Sequence, residues 1–286
     1  MLARAVLSFS TITTAVSLAR AATYAISDTF IGPSFLTGFN HQVISVPTHA
    51  TAQNLNLTFA SSDTFIMRAD STTVLSTSGP GRNSVRIVSK KQWSTHVEIM
   101  DVRHMPQGCS TWPAYRNPAA GLIDIIEGVN DQSPNAATLH TTGTPGCTQP
   151  ATGRDQTGTT TGTDCNSSSG CGVKAAQTNS YGPSFNTNGG GCYGSVPAQV
   201  RNGASWIDTN TWGTPFASFV DDSCDISSKF GMESVMISLT FCGDWAGKPD
   251  VYAASGCPST CVDYVNNNPA AFKGAYWDIA ALRVYQ

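Results

Sequence analysis

Apolar residues in this chain recur at every second position, and no long stretch keeps a helical period. In Glu233–Phe241, Val235, Ile237, Leu239 and Phe241 fall on one face of an extended segment. Ser234, Ser238 and Thr240 fall on the other, with Met236. That period belongs to a strand with one face in a core. Ser94–Arg103 alternates around Val97 and Ile99, and Asp63–Arg68, Ser84–Ser89 and Ala275–Tyr285 are further strand candidates. Turn clusters separate them: Ser78-Gly79-Pro80-Gly81, Asn186 to Gly191, and Gly243 to Pro249. The best helix is short, Thr260 to Asn267, opened by Ser259 or Thr260 and closed before Pro269. The pattern predicts an all-β chain: two antiparallel sheets packed face to face as a jelly-roll β-sandwich.

All 286 residues fit one such domain after a leader is removed. Arg4, the uncharged and mostly apolar run Ala5–Leu18, and Ala19-Arg20-Ala21 match a signal peptide with a small-x-small cleavage site. Residues 1–21 are therefore expected to be a signal peptide, and 22–286 a single domain of a secreted, extracellular protein. No segment has the length of a membrane span. With 12% charged residues and a net charge of −3, the chain has no basic field for nucleic acid or an anionic membrane. The stretch from Thr141 to Gly191, rich in Thr, Gly, Ser and Asn, is expected to be a long disulfide-stapled surface loop and not an interdomain linker.

Nine cysteines lie in the later two-thirds of the chain: Cys109, Cys147, Cys165, Cys171, Cys192, Cys224, Cys242, Cys257 and Cys261. In an exported chain these read as disulfides, with at least one left over. The absence of any CxxC pair and the scatter of the five histidines argue against zinc, so no metal or cofactor is expected. Asn56-Leu57-Thr58 and Asn166-Ser167-Ser168 are possible glycosylation sequons.

One segment carries chemistry: Gly121-Leu122-Ile123-Asp124-Ile125-Ile126-Glu127-Gly128. On a regular strand Leu122 and Asp124 share a face and Glu127 points the other way. One bulged residue between Asp124 and Glu127 returns Glu127 to that face. Acids in an apolar strand are costly unless paired or functional. Taken alone, two solvent-facing acids on an open strand face would be the simpler explanation.

The surrounding motifs decide. The strand resembles the Glu-x-Asp-x-x-Glu signature of the laminarinase type in glycoside hydrolase family 16. Arg103-His104-Met105-Pro106-Gln107-Gly108-Cys109 leads into Thr111-Trp112-Pro113-Ala114, and Gly128 to Thr141 follows the strand. Asn179 to Asn186, Leu239 to Gly247 and Gly256 to Asp263 match as well, so the resemblance spans most of the mature chain. The chain is similar to fungal secreted endo-1,3(4)-β-glucanases. The resemblance implies a concanavalin-like jelly roll and retaining hydrolysis of β-1,3/1,4-glucans by two carboxyls about 5–5.5 Å apart. It makes Glu127 the acid/base, Asp124 the supporting acid, Trp112 a sugar-stacking residue and His140 a cleft-lining one. The implied partner is β-glucan polysaccharide, and a monomer is expected.

Leu122 stands where that signature has its nucleophile, and leucine cannot attack an anomeric carbon. Other departures accompany it. Tyr115-Arg116-Asn117-Pro118-Ala119-Ala120 replaces a Trp- and Gly-rich loop, with Arg116 near a usual Trp. Gly189-Gly190-Gly191 jumps through Cys192-Tyr193-Gly194 to Ser195-Val196-Pro197, where the family has a long Trp-bearing strand segment. A shorter gap follows Pro47-Thr48-His49. A diverged inactive paralogue and a chain missing coding segments both fit. The good match of the flanks, with Cys192 at one junction, favours missing segments. The chain is expected to be inactive or severely impaired as a hydrolase. The alternative role is a non-catalytic β-glucan-binding protein. A transglycosylase would fail at the same residue.

Overall fold

The computed structural model describes residues 23–44, 49–192, 200 and 203–286. The signal peptide assigned to residues 1–21 lies outside the described residues, as do 193–199 in the junction after Cys192 and 45–48 in the earlier gap. In chain order the strands are β1 (Thr23–Phe30), β2 (Phe39–Val43), β3 (Thr58–Ala60), β4 (Phe65–Arg68), β5 (Val85–Ser89), β6 (Val97–His104), β7 (Thr111–Pro118) and β8 (Leu122–Glu127). Then follow β9 (Ala136–His140), β10 (Thr159–Thr160), β11 (Cys171–Lys174), β12 (Gly191–Cys192), β13 (Trp206–Asp208), β14 (Met236–Phe241) and β15 (Tyr276–Tyr285). They form two antiparallel sheets. The front sheet runs β10-β11-β9-β8-β7-β14-β5-β2. The back sheet runs β12-β6-β15-β1-β13, with β4 on β15 and β3 on β4.

Alternation explains how the sheets close on each other. Val235, Ile237 and Leu239, leading into and along β14, are fully buried, while Met236, Ser238 and Thr240 turn to the opposite face. On β15 the buried set changes parity, from Trp277 and Ile279 to Leu282 and Val284. The register shift between Ile279 and Ala281 accounts for it, because one extra residue flips every later side chain. These residues meet Phe65, Met67, Met100 and Val102 from the back sheet and Val85, Ile87, Tyr115 and Ile126 from the front in one cluster. Each such aliphatic or aromatic side chain contributes roughly 1.5–3 kcal/mol when buried.

The short helix forms over Cys261–Asn267, and Thr260 caps it by accepting the Asp263 N–H at its Oγ1. Four disulfides join Cys109 to Cys257, Cys147 to Cys224, Cys165 to Cys171 and Cys242 to Cys261. The eight cysteines other than Cys192 thus pair among themselves. Asn56 and Asn166 are both exposed, and the Asn166 side chain also accepts from Thr141 Oγ1 and Cys147 N and donates to Gly143 O.

One expectation needs correction. Thr141–Gly191 is not only loop, since Cys171–Lys174 pairs with β9 and Thr159–Thr160 pairs in turn with Cys171–Lys174, extending the front sheet. These strands are too short, and too rich in Gly and Thr, to show a period in the sequence. The same stretch contains a helix over Gly182–Thr187.

The sheets do not end together. Among the described residues, β12 adds only two residues, Gly191 and Cys192, to the outer edge of β6. The front sheet continues past β8 through β9 and β11. Ile123 and Ile125 are left only partly buried, beside a cavity of about 650 Å³ that is also lined by His96, Glu98, Asn117 and Glu233.

Candidate functional site

The site begins with a backbone irregularity. Asp124 pairs with Arg116 on β7 and Thr138 on β9, whereas Glu127 pairs with Ala114 and Ala136, and the register shifts between them on both sides. This is the expected bulge. The Asn135 side chain, 1% exposed, fits into the resulting gap. Its Oδ1 accepts the Glu127 N–H at 3.1 Å, and its Nδ2 donates to Ile125 O at 2.8 Å. Two backbone groups that the ladder cannot pair are thereby satisfied. Gly121 opens the strand where the chains crowd, since a Cβ there would lie 2.7 Å from His140 O.

The bulge brings both acids onto the cleft face of the front sheet. Across β14, β7, β8 and β9, Ser238, Ala114, Glu127 and Ala136 form one row, and Met236, Arg116, Asp124 and Thr138 form the next. Leu122 lies beyond them, paired with Pro118 and His140 and partly exposed. The structure therefore brings Trp112, Leu122, Asp124, Glu127 and His140 together on one face.

Arg116 joins the acids. Its Nη2 is 2.5 Å from Glu127 Oε1 and its Nε is 3.2 Å from Asp124 Oδ1. His140 Nε2 is 3.3 Å from the other Asp124 oxygen. The Asp124 carboxylate, 1% exposed, makes no hydrogen bond, so the Arg116 guanidinium is the cation that offsets its burial. Burial, and then the Asp124 charge, push the Glu127 carboxyl above its usual range. The Arg116 and His140 charges and the Trp112 N–H, 2.9 Å from Oε1, pull the other way. A buried carboxyl that holds its proton into milder acid than a free one is suited to donate it to a leaving oxygen.

Trp112 is not a core residue. Its ring lies half-buried in the cleft, with Trp245 edge-on at 5.8 Å. Sequence reasoning marked Arg116 only as a departure and missed its bridging of the acids. It missed Asn135 altogether. The like period of Trp112, Ala114 and Arg116 was the available signal for Arg116, because it puts all three on the face that carries Trp112.

A two-sheet jelly roll whose concave strand presents a carboxyl pair beside a half-buried tryptophan defines a class, the jelly-roll β-glycan hydrolases. Within it, this chain belongs to glycoside hydrolase family 16, and the profile of the XgeA-like catalytic domain matches residues 41–285. Laminarinase 16A from Phanerochaete chrysosporium, solved with two β-glucans in its donor and acceptor sites, is 51% identical. The match covers 93% of this chain and 100% of that one, with a TM-score of 0.88. An elongating family 16 β-1,3-glucosyltransferase is 33% identical over 92% of this chain and 100% of its own, with a TM-score of 0.83. A probable glycosidase from Schizosaccharomyces pombe is 38% identical, with 93% of this chain and 70% of the relative covered. An endo-1,3(4)-β-glucanase from Emericella nidulans is 33% identical over 93% of this chain but only 48% of its own length. The chain thus spans about half of that glucanase. The 302 positions aligned with the S. pombe protein outnumber the 286 residues here, so the relative has residues that this chain lacks.

Proposed function

We propose that this chain presents a family 16 cleft for β-1,3/1,4-glucan whose hydrolytic chemistry is lost or severely impaired. The observation that carries the reading is the occupant of the cleft face of β8. Leu122, Asp124 and Glu127 share that face, and only two of the three are acids. Both acids are tied to Arg116. Glu127 is the acid/base, Asp124 its supporting acid, and Leu122 the vacant nucleophile position. Retaining hydrolysis needs a carboxylate to attack the anomeric carbon. Asp124 lies one pleat nearer Glu127, and it is paired with Arg116 and in contact with His140. Trp112 gives an aromatic face for a glucosyl ring, and His140 lines the cleft. Residues 22–286 form the single mature domain, secreted after loss of residues 1–21 and monomeric. No described helix is long and apolar enough to cross a membrane.

The test uses purified, sequence-verified protein. Laminarin and lichenan should be retained in affinity electrophoresis, yet release of reducing sugar should stay at background. Retention without turnover is also what the glucan-binding role requires, and the departure at Leu122 favours that role over a transglycosylase. Failure to retain either glucan would remove the proposal.

A further inference from the structure

A second arginine faces the cleft. Arg86 on β5 lies opposite Ser238, which lies opposite Ala114, which lies opposite Glu127. Arg86 and Arg116 line one cavity of about 320 Å³ together with Trp112, Ser238, Thr240 and Asp244. The two cations are not in equal circumstances. Arg116 is neutralised by Asp124 and Glu127. Arg86 has no ion pair with any described residue, and its Nε is buried without a hydrogen-bond partner. Burial, and then the nearby Arg116 charge, hold Arg86 below the usual guanidinium range. Asp244 is exposed in the first turn of a one-turn helix and does not pair with Arg86.

A buried donor without an acceptor is unfavourable, and a planar guanidinium accepts an oxyanion in a fork. This cavity opens beside the aromatic face that would hold a sugar ring. We propose that it binds a carboxylate carried on a sugar of the glucan chain, a uronate residue, with Arg86 taking the carboxylate and Trp112 the ring. The inference rests on the reading of the cleft as a β-glucan site and adds a preference for acidic glycan.

Calorimetric titration compares laminarin oligosaccharide with the same material partly oxidised at C6 to the carboxylate. At about 0.05 M NaCl the oxidised ligand should bind about tenfold tighter, and at about 0.5 M the advantage should disappear. In Arg86→Gln the ratio of the two affinities should fall to near one, and Arg86→Lys should keep part of it. Neutral binding with no preference for the oxidised ligand overturns this inference alone. A preference that survives high salt or Arg86→Gln also overturns it. Binding of neither ligand removes the glucan reading as well. If Arg86→Gln does not fold, the salt series on the unaltered chain decides.

Discussion

Arg116 Nη2 lies 2.5 Å from Glu127 Oε1, and the same guanidinium reaches Asp124. One side chain thus crosses from β7 to β8 and places a cation against both members of the acidic pair. The β7–β8 register makes this possible by placing Arg116 opposite Asp124, with the bulge bringing Glu127 alongside. A buried pair of carboxyls without a cation would hold a proton between them. With Arg116 present, the Glu127 carboxyl is still raised by burial and by the Asp124 charge, but the guanidinium opposes that rise.

Arg116→Gln should therefore destabilise the protein by about 3 kcal/mol at neutral pH, because it leaves buried charge unpaired. The loss should shrink in acid. A carboxyl whose folded-state pKa lies above its unfolded value binds its proton more tightly when folded, so stability is present at low pH and declines as pH rises toward the folded pKa. Glu127 already has that sign, starting from 4.5. Removing Arg116 raises it further and widens the window upward. Urea unfolding of both proteins across this range measures the difference. A penalty independent of pH would show that Arg116 matters for packing and not for charge.

Asn135→Ala should cost about 3 kcal/mol, from two backbone groups left without partners at the bulge. The effect should extend to the cleft. Without the amide, Asp124 and Glu127 lose the irregularity that puts them on one face, and laminarin retention should weaken with the fall in Tm. An unchanged Tm would mean that the ladder itself maintains the bulge.

The fold was legible where burial is periodic. Val235, Ile237 and Leu239 announce β14 because one face of that strand meets only apolar neighbours. The bulge was legible too, since acids three positions apart cannot share a strand face without it. Asn135 was not, because its role depends on a loop folding back over β8, which no local pattern records. Arg116 was visible only as a misfit residue. Its pairing with Asp124 is set by the register between two strands, a tertiary property. The strands of Thr141–Gly191 were hidden because two to four residues show no period.

Cys192 should be the one cysteine that reacts with an alkylating reagent under denaturing, non-reducing conditions. The other eight pair among themselves. A peptide map that finds Cys192 in an intramolecular disulfide would refute this and require a different set of bridges.

The catalytic expectation follows from Leu122. Retaining chemistry needs a nucleophile on one side of the anomeric carbon and a proton donor on the other. Only the donor, Glu127, remains in this reading, so the loss should fall on turnover and not on affinity alone. A small anion can enter where a carboxylate is missing. Added azide should attack the anomeric carbon as the glycosidic bond breaks and Glu127 protonates the departing oxygen, giving an α-glycosyl azide. The reaction should be fastest in mild acid, where the raised Glu127 carboxyl still holds its proton. Leu122→Glu alone should restore little, because the new acid would stand beside Arg116 in a cleft whose β7–β8 loop and back-sheet edge are both short. Restoring those segments together with the glutamate should restore hydrolysis. The measurement is reducing-sugar release from laminarin, with chromatographic detection of the azide product. Ordinary endoglucanase turnover by the unaltered chain would move the nucleophile's role to Asp124.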